Sequence, residues 1–550
     1  MNRRFWLSAA VAAIGASMLV FAAFAGAASS NTAKKGGTLK VNFSGSDFDF
    51  TDPSLAYGVQ SWQAEYSTAL KLYNYPDKAK PLGSKIQPEG AVGFPVVSKD
   101  GKTYTITVKS GYRFSDGSQV TAKNYAFAIN RSLSKTMQSP AAAFIDTLNA
   151  ANQQIGGIIG ANAVVTGAAN TAKGVQVKGN KLIIKLIQPD GGMLAKLGMP
   201  FFQALKPTLA TDPKGVSTYP SAGPYYFASR DIGRSATLQR NKYYKGPRPA
   251  NADTIQITAN TNLDQSLLQV KSGEVDYDMG GLPPSAHSDL GAQFGVNKGR
   301  YFVNQLVETD YVALNTSRAP FNSVNLRKAA NFAIDRPAML RTRGKYAGLR
   351  TDQILPPGMG GYRNAHIYPI AGAQYEKAKS LAGSACGKVT VLTGNTATGQ
   401  ALGQVFKYNL TQMGCDVSIK LFAGFQLYVF AGQKGADFDA AIAGWNQDYP
   451  DPYDFLDVLL NGNNIHENNN NNIAYFDNAD INKKLVVANR KVGAARYKAY
   501  GDLDLEITKK YAPWASYDNR NTREFIANRI SGYLFQPAQA SADLNTFFIK

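Results

Sequence analysis

The chain has 550 residues, with 44% hydrophobic and 18% charged residues and a formal net charge of +20. That length exceeds one ordinary core, and the low charged fraction argues against a solvated disordered chain. Three His (His287, His366, His466) and two Cys (Cys386, Cys415) are too few for a zinc cluster or a disulfide framework.

Arg3 and Arg4 precede an uncharged stretch from Phe5 to Ala28 that ends in small residues. Ala23-Phe24-Ala25 and Ala25-Gly26-Ala27 both fit an A-x-A cleavage pattern, so residues 1–27 read as a secretory signal peptide. An uncleaved membrane anchor is the alternative, because the stretch is long enough to span. No Cys lies near the cleavage site, so the usual lipoprotein anchor is missing. The basic residues are scattered, with no run of five, which disfavours nucleic acid as a partner.

Gly37 to Phe43 reads as a short strand, and Lys102 to Val108 alternates like a half-buried one. Asp116-Gly117 is a turn, after which the Thr121 hydroxyl is placed to cap a helix over Ala122 to Leu133. Val175 to Leu186 reads as a hairpin turning at Gly179-Asn180. Tyr311 to Leu314 is a strand; Ser323 then caps one helix, and Asp335 with Pro337 opens another. Cys386 and Cys415 each open a strand, with a helix over Gly399 to Met413 between them. A β-α-β unit would bring the two strand starts to one sheet edge, where an oxidising compartment would let the thiols pair. Two free thiols remain the alternative. Ile481 to Tyr511 reads as helix, the Asn468 to Asn472 tract as an exposed loop, and each His as a surface residue.

Gly435 to Asn482 contains nine Asp and Glu and no Lys or Arg. Within it, Gly444-Trp445-Asn446-Gln447-Asp448-Tyr449-Pro450-Asp451-Pro452-Tyr453-Asp454 joins aromatic rings to carboxylates, and its two prolines forbid a regular helix. A stiff turn showing a ring and a carboxylate suits an ammonium group. A solvated acidic turn with a structural Trp is the other reading. No G-x-S-x-G, H-E-x-x-H, phosphate loop or calcium loop occurs. Paired carboxylates of a hydrolase would leave no such mark.

Five blocks, in order, carry a resemblance. They are Gly36-Gly37-Thr38-Leu39-Lys40-Val41 with Thr51-Asp52-Pro53; Asp100 to Asn124; Gly223-Pro224-Tyr225 with Leu238 to Asn241; Leu314 to Arg336; and the Trp445 to Tyr449 turn. The chain resembles the extracytoplasmic solute-binding proteins of ABC importers, in the oligopeptide, dipeptide and nickel-binding family. The resemblance implies an α/β, two-lobed, periplasmic-binding-protein-like fold of type II, large cluster, with an extra inserted subdomain and a hinge of two crossing strands. Lobe one would take residues 36–303 plus 513–550, with the insert at about 76–205, and lobe two residues 304–512.

By the same resemblance, Asp448 would hold a peptide's α-amino group, with Trp445 and Tyr449 lining the cleft. Phe48, Asp49 and Tyr311 would lie beside the ligand. The implied protein is a receptor and not an enzyme, needs no cofactor or metal, works as a monomer outside the cytoplasm, and hands an oligopeptide to an ABC permease. A receptor for a non-peptide solute such as an oligosaccharide, a secreted hydrolase and a basic envelope-binding protein are the alternatives.

Overall fold

A computed structural model describes residues 35–149, 153–383 and 386–550. The expected signal peptide lies outside the described residues. One sheet runs in the order Tyr225–Asp231, Ser235–Arg240, Thr254–Thr261, Thr38–Ser44, Tyr277–Asp278. Thr38–Ser44 pairs in parallel with both of its neighbours. Its alternation puts Leu39, Val41 and Phe43 into the core with Phe227, Leu238, Ile255 and Ile257.

Between the first strand and the rest of that sheet lies a separate antiparallel sheet. Its order is Val96–Val97, Thr103–Thr107, Lys181–Lys185, Val175–Lys178. Tyr104, Ile106, Leu182 and Ile184 form its buried face. The helix Ala122–Leu133 packs against this hairpin. Thr121 is the cap of this helix, as expected, in a capping box whose return bond is Asn124 Oδ1 accepting the Thr121 N–H at 2.7 Å. The Val175–Lys185 hairpin turns where Gly179 takes φ +60°, a conformation that favours glycine.

The largest sheet has the order Tyr301–Gln305, Trp514–Phe525, Glu308–Leu314, Ala440–Asn446, Lys388–Gly394, Asp416–Phe422, with Gly348–Arg350 added to Trp514–Phe525. The long strand Trp514–Phe525 pairs at one end with Glu308–Leu314 and at the other with Tyr301–Gln305. Beyond it, Ile526 bridges to Tyr277 of the first sheet. The chain therefore passes twice between the sheets, once through 301–314 and once through 514–525, as a pair of crossing strands. The fold is two-lobed α/β with an inserted subdomain. Lys388–Gly394, the helix Ala397–Thr411 and Asp416–Phe422 form a parallel β-α-β unit. Cys386 and Cys415 are disulfide-bonded there, with Cα atoms 4.9 Å apart.

Four local expectations need correcting. Ile481–Tyr511 is two helices, Ala479–Asn489 and Gly493–Glu506, followed by a wider turn at Ile507–Tyr511. Gly493 at φ +56° makes the break. The Gly444–Asp454 segment is not all turn, because Ala440–Asn446 is strand through Trp445. The asparagine tract is not simply exposed. Asn470 donates to the carbonyls of Gly432 and His466, Asn472 donates to that of Phe476, and both side chains are buried. His287 is also buried, in the helix His287–Phe294, with Nδ1 3.0 Å from the Tyr301 hydroxyl. Burial, aided by the Arg523 charge, pushes it down to about 3. Among the described residues no helix is long and apolar enough to cross a membrane.

Candidate functional site

The strand Ala440–Asn446 delivers Trp445 at its end, and the chain turns before entering the helix Tyr453–Leu460. Pro452 is the cap of that helix; its fixed φ suits a helix start and ends the turn. Asp454, in the first helical turn, ties the corner together. One of its oxygens accepts the Asp448 N–H at 2.8 Å and the Trp445 Nε1–H at 3.2 Å. The spacing of Trp445, Asp448 and Asp454 thus fixes where the Asp448 side chain points.

Most carboxylates of the acidic window already have a cation or a donor. Asp451 is gripped by Arg496 through two contacts of 2.7 and 2.9 Å, both side chains buried. Asp437 and Asp439 meet Arg318. Asp457 accepts the Tyr500 hydroxyl at 2.6 Å. Asp448 pairs with no Lys or Arg among the described residues; it accepts the Tyr57 hydroxyl at 2.7 Å. Burial pushes Asp448 up to about 7, against hydrogen bonds from Tyr57 and Asp454 that pull it down. Burial and then the Asp448 charge raise Asp454 well above the carboxylate range. The two carboxyls are coupled and both are raised, so the pair holds a proton readily.

Tyr57 belongs to the other side of the molecule, 391 positions earlier. Asp49 builds its support: one oxygen accepts the N–H groups of Tyr57 and Gly58, both at 2.8 Å, and the other is met by the Ser61 hydroxyl. The helix Val59–Thr68 starts from this knot. Four rings surround Tyr57, namely Trp62 and Phe201 at 5.6 Å, Trp445 at 6.3 Å and Phe144 at 6.4 Å between centroids. Phe144 also meets Tyr449 edge-on at 6.1 Å, and the buried Tyr449 hydroxyl has no hydrogen-bond partner among the described residues. A carboxylate facing aromatic walls is suited to a desolvated organic cation.

Trp445, Asp448 and Tyr449 are brought together here. The other three expected residues are not. Asp49 spends its carboxylate on the Tyr57 knot and acts through Tyr57. Phe48 is buried in the first-sheet core against Phe43 and Phe227, with Arg230 over its ring at 5.3 Å. Tyr311 is fully buried and stacked flat on Trp514 at 3.5 Å, a packing contact between the crossing strands. The sequence reading missed Tyr57, Phe144 and Phe201, which come from distant segments, and gave Asp454 no role. Its position at the first turn of a helix opened by Pro452 was the available signal.

Residues 85–467 match the family described as "Bacterial extracellular solute-binding proteins, family 5 Middle". The chain is 23% identical over 501 residues to the "Probable D,D-dipeptide-binding periplasmic protein DdpA" of Escherichia coli K12, covering 88% of this chain and 89% of that protein. It is 24% identical over 500 residues to the "Oligopeptide-binding protein OppA" of Bacillus subtilis, covering 84% of each. Among solved structures, the "Clavulanic acid biosynthesis oligopeptide binding protein 2" superposes with a TM-score of 0.83 at 20% identity, over 94% of this chain and 96% of that one. Haemophilus influenzae OppA with the peptide RPPGFSPFR superposes with a TM-score of 0.75 at 21% identity, over 94% and 99%. The chain belongs to the family 5 bacterial extracellular solute-binding proteins.

Proposed function

We propose that this protein captures a peptide between its lobes, with Asp448 as the acceptor for the peptide's α-ammonium group, and passes it to an ABC import permease. The observation that carries the reading is Asp448 itself. It is a largely enclosed carboxylate that pairs with no Lys or Arg among the described residues, fixed by Asp454 at the end of the Trp445 turn and turned toward Tyr57 of the opposite lobe. An ammonium arriving there gains a charge-assisted hydrogen bond and aromatic faces from Trp445, Tyr57 and Tyr449. The names of relatives such as DdpA and OppA support a peptide as the cargo.

In this reading lobe one is 36–303 plus 513–550 with its insert at about 76–205, and lobe two is 304–512. The two passes at 301–314 and 514–525 are the hinge. A ligand that touches both lobes favours the closed form by its differential affinity, and the closed form is what a permease reads. The protein acts as a monomeric receptor outside the cytoplasm and catalyses nothing. A non-peptide solute is the second reading. It is favoured by a family relative named "Heme-binding protein A" and by a structural neighbour solved with agropinic acid.

A thermal-shift panel separates the readings. Peptides with a free amino terminus should raise the melting temperature, and their N-acetylated copies should not. Equal shifts from both, or shifts from non-peptide solutes alone, would reject the ammonium role.

A further inference from the structure

The inserted subdomain carries a surface that the solute-binding role does not use. Across 76–205 there are fifteen Lys and Arg against six Asp and Glu, so nine of the chain's twenty net positive charges sit in this segment. The acids are mostly consumed inside or paired. Glu89 pairs with Arg248, Asp190 with Lys196 and Asp116 with Lys206, and Asp77 is largely enclosed. Lys99, Lys178, Lys181 and Lys185 pair with no carboxylate among the described residues.

Strand register puts these charges beside exposed apolar groups. Val96 is opposite Thr105, Thr105 opposite Ile183, and Ile183 opposite Gln176, so the four share one face. Residues two positions away along a strand share that face too, which adds Lys181, Lys185 and Lys178. The opposite face is the buried one. At the edge of this outer face runs Ala91-Val92-Gly93-Phe94-Pro95-Val96-Val97. Val92 is 62% exposed, Phe94 58% and Val96 74%. Tyr73 stacks on one side of the Phe94 ring at 6.2 Å and holds it in place. Lys99 follows in the turn Ser98–Lys102.

We infer that this face of the insert is a docking surface for an anionic lipid bilayer. Lysines near an anionic headgroup layer are attracted electrostatically, and apolar side chains held among them can enter the headgroup–acyl boundary. The lysine stems lie along apolar surface while their ammonium groups stay in water. Charge alone would suit any polyanion; the exposed Val92, Phe94 and Val96 edge is what selects a surface with hydrocarbon beneath it. Such docking would keep a receptor at the membrane while the solute cleft, to which the insert lends Phe144 and Phe201 and not this outer face, stays free.

Sedimentation of the full chain with lipid vesicles tests this. Binding is expected to vesicles of phosphatidylglycerol with phosphatidylcholine, to weaken with added salt, and to be small on phosphatidylcholine alone. Lys178→Glu with Lys181→Glu should cut binding at least about tenfold, given the worth of each basic residue near an anionic surface. Phe94→Ser with Val96→Ser should cut it several-fold, with an unchanged melting temperature showing that the exposed edge and not the fold was altered. No binding to protein-free anionic vesicles would overturn the inference and leave the face to a protein partner. Binding that the charge reversals abolish but Phe94→Ser with Val96→Ser leaves intact would overturn it in favour of simple polyanion adhesion. Binding equal on neutral and anionic vesicles would also overturn it.

Discussion

Asp310 and Gly444 stand opposite each other on paired antiparallel strands, and a Cβ at position 444 would lie 2.1 Å from Asp310 Oδ1. The space that glycine leaves is where a buried ion cluster folds over the strand that carries Trp445. Arg343 joins Asp310 at 2.5 Å to Asp518 at 3.4 Å, and Arg520 joins Asp310 at 3.5 Å to Glu308. The crossing strands and the strand that leads into the Trp445 turn are thereby fastened to one another. Gly444→Ala is expected to destabilise the fold by about 1–3 kcal/mol, the usual cost of forcing an extra carbon into a packed site. Denaturant unfolding reads this; an unchanged midpoint would show that the cluster yields freely.

The same cluster makes stability depend on pH. Burial pushes Glu308 up to about 7, and burial followed by the Asp310 charge pushes Asp518 up to about 8. Burial also holds Asp504 up to about 7. Each of these carboxyls binds its proton more tightly folded than unfolded. Their contribution is full below the ordinary carboxylate range and is lost as pH rises through 7 to 8. His287, pushed down to about 3, works in the other direction but only below its unfolded value near 6.5. From pH 6.5 to 8 the melting temperature should therefore fall. Each such group contributes at most about 1.4 kcal/mol per pH unit. Glu308→Gln should flatten the fall, and a melting temperature that rises over this interval would contradict the assignment.

Arg496 and Asp448 give opposite kinds of carboxylate variant. Arg496→Met leaves Asp451 enclosed without its cation, a loss of about 3–5 kcal/mol. Asp448→Asn removes a carboxyl that pairs with no Lys or Arg among the described residues, so the ligand-free protein should keep its stability or gain a little. A melting curve for each variant checks the contrast, and a large loss on Asp448→Asn would make that residue structural.

Cys386 and Cys415 close a loop spanning 29 positions. Cys386→Ser with Cys415→Ser should cost about 3–4 kcal/mol by the chain-entropy account. Unfolding with and without reductant provides the same comparison in the unaltered chain, and equal midpoints would show that the bond adds no stability.

The parts of the fold that could be read from the sequence were those that neighbours in the chain decide. The strand at Thr38–Ser44 follows from alternation, the helix at Ala122–Leu133 from its capping residues and the hairpin at Gly179-Asn180 from its turn chemistry. The acidic window stood out by composition, and its Trp445 to Tyr449 corner lies at the candidate site. What escaped was decided at long range. Tyr57 meets Asp448 across 391 positions of chain, and nothing near position 57 announces it. Tyr311 was expected beside the ligand for its place on the crossing strand, but Trp514 of the other crossing strand takes its ring. His287 reads as a surface residue until Tyr301 and Arg523 are packed around it. Gly493 was visible, but the helical period continues on both sides of it and hid the break.

The central claim is that Asp448, ionised, holds the ammonium end of a peptide, and titration calorimetry across pH addresses it most directly. Binding should be tightest between about pH 7 and 8, where Asp448 has lost its proton and an α-amino group still keeps one. Below that interval affinity should fall, approaching about tenfold per pH unit. Tyr57→Phe removes a hydrogen bond that favours the charged form, so its acidic midpoint should move to higher pH. Asp448→Asn should lose about 1.5–3 kcal/mol of affinity, the scale of a hydrogen bond to a charged group, and with it the acidic dependence. A peptide bound equally well by the parent protein and Asp448→Asn, with the same dependence on pH, would contradict the account.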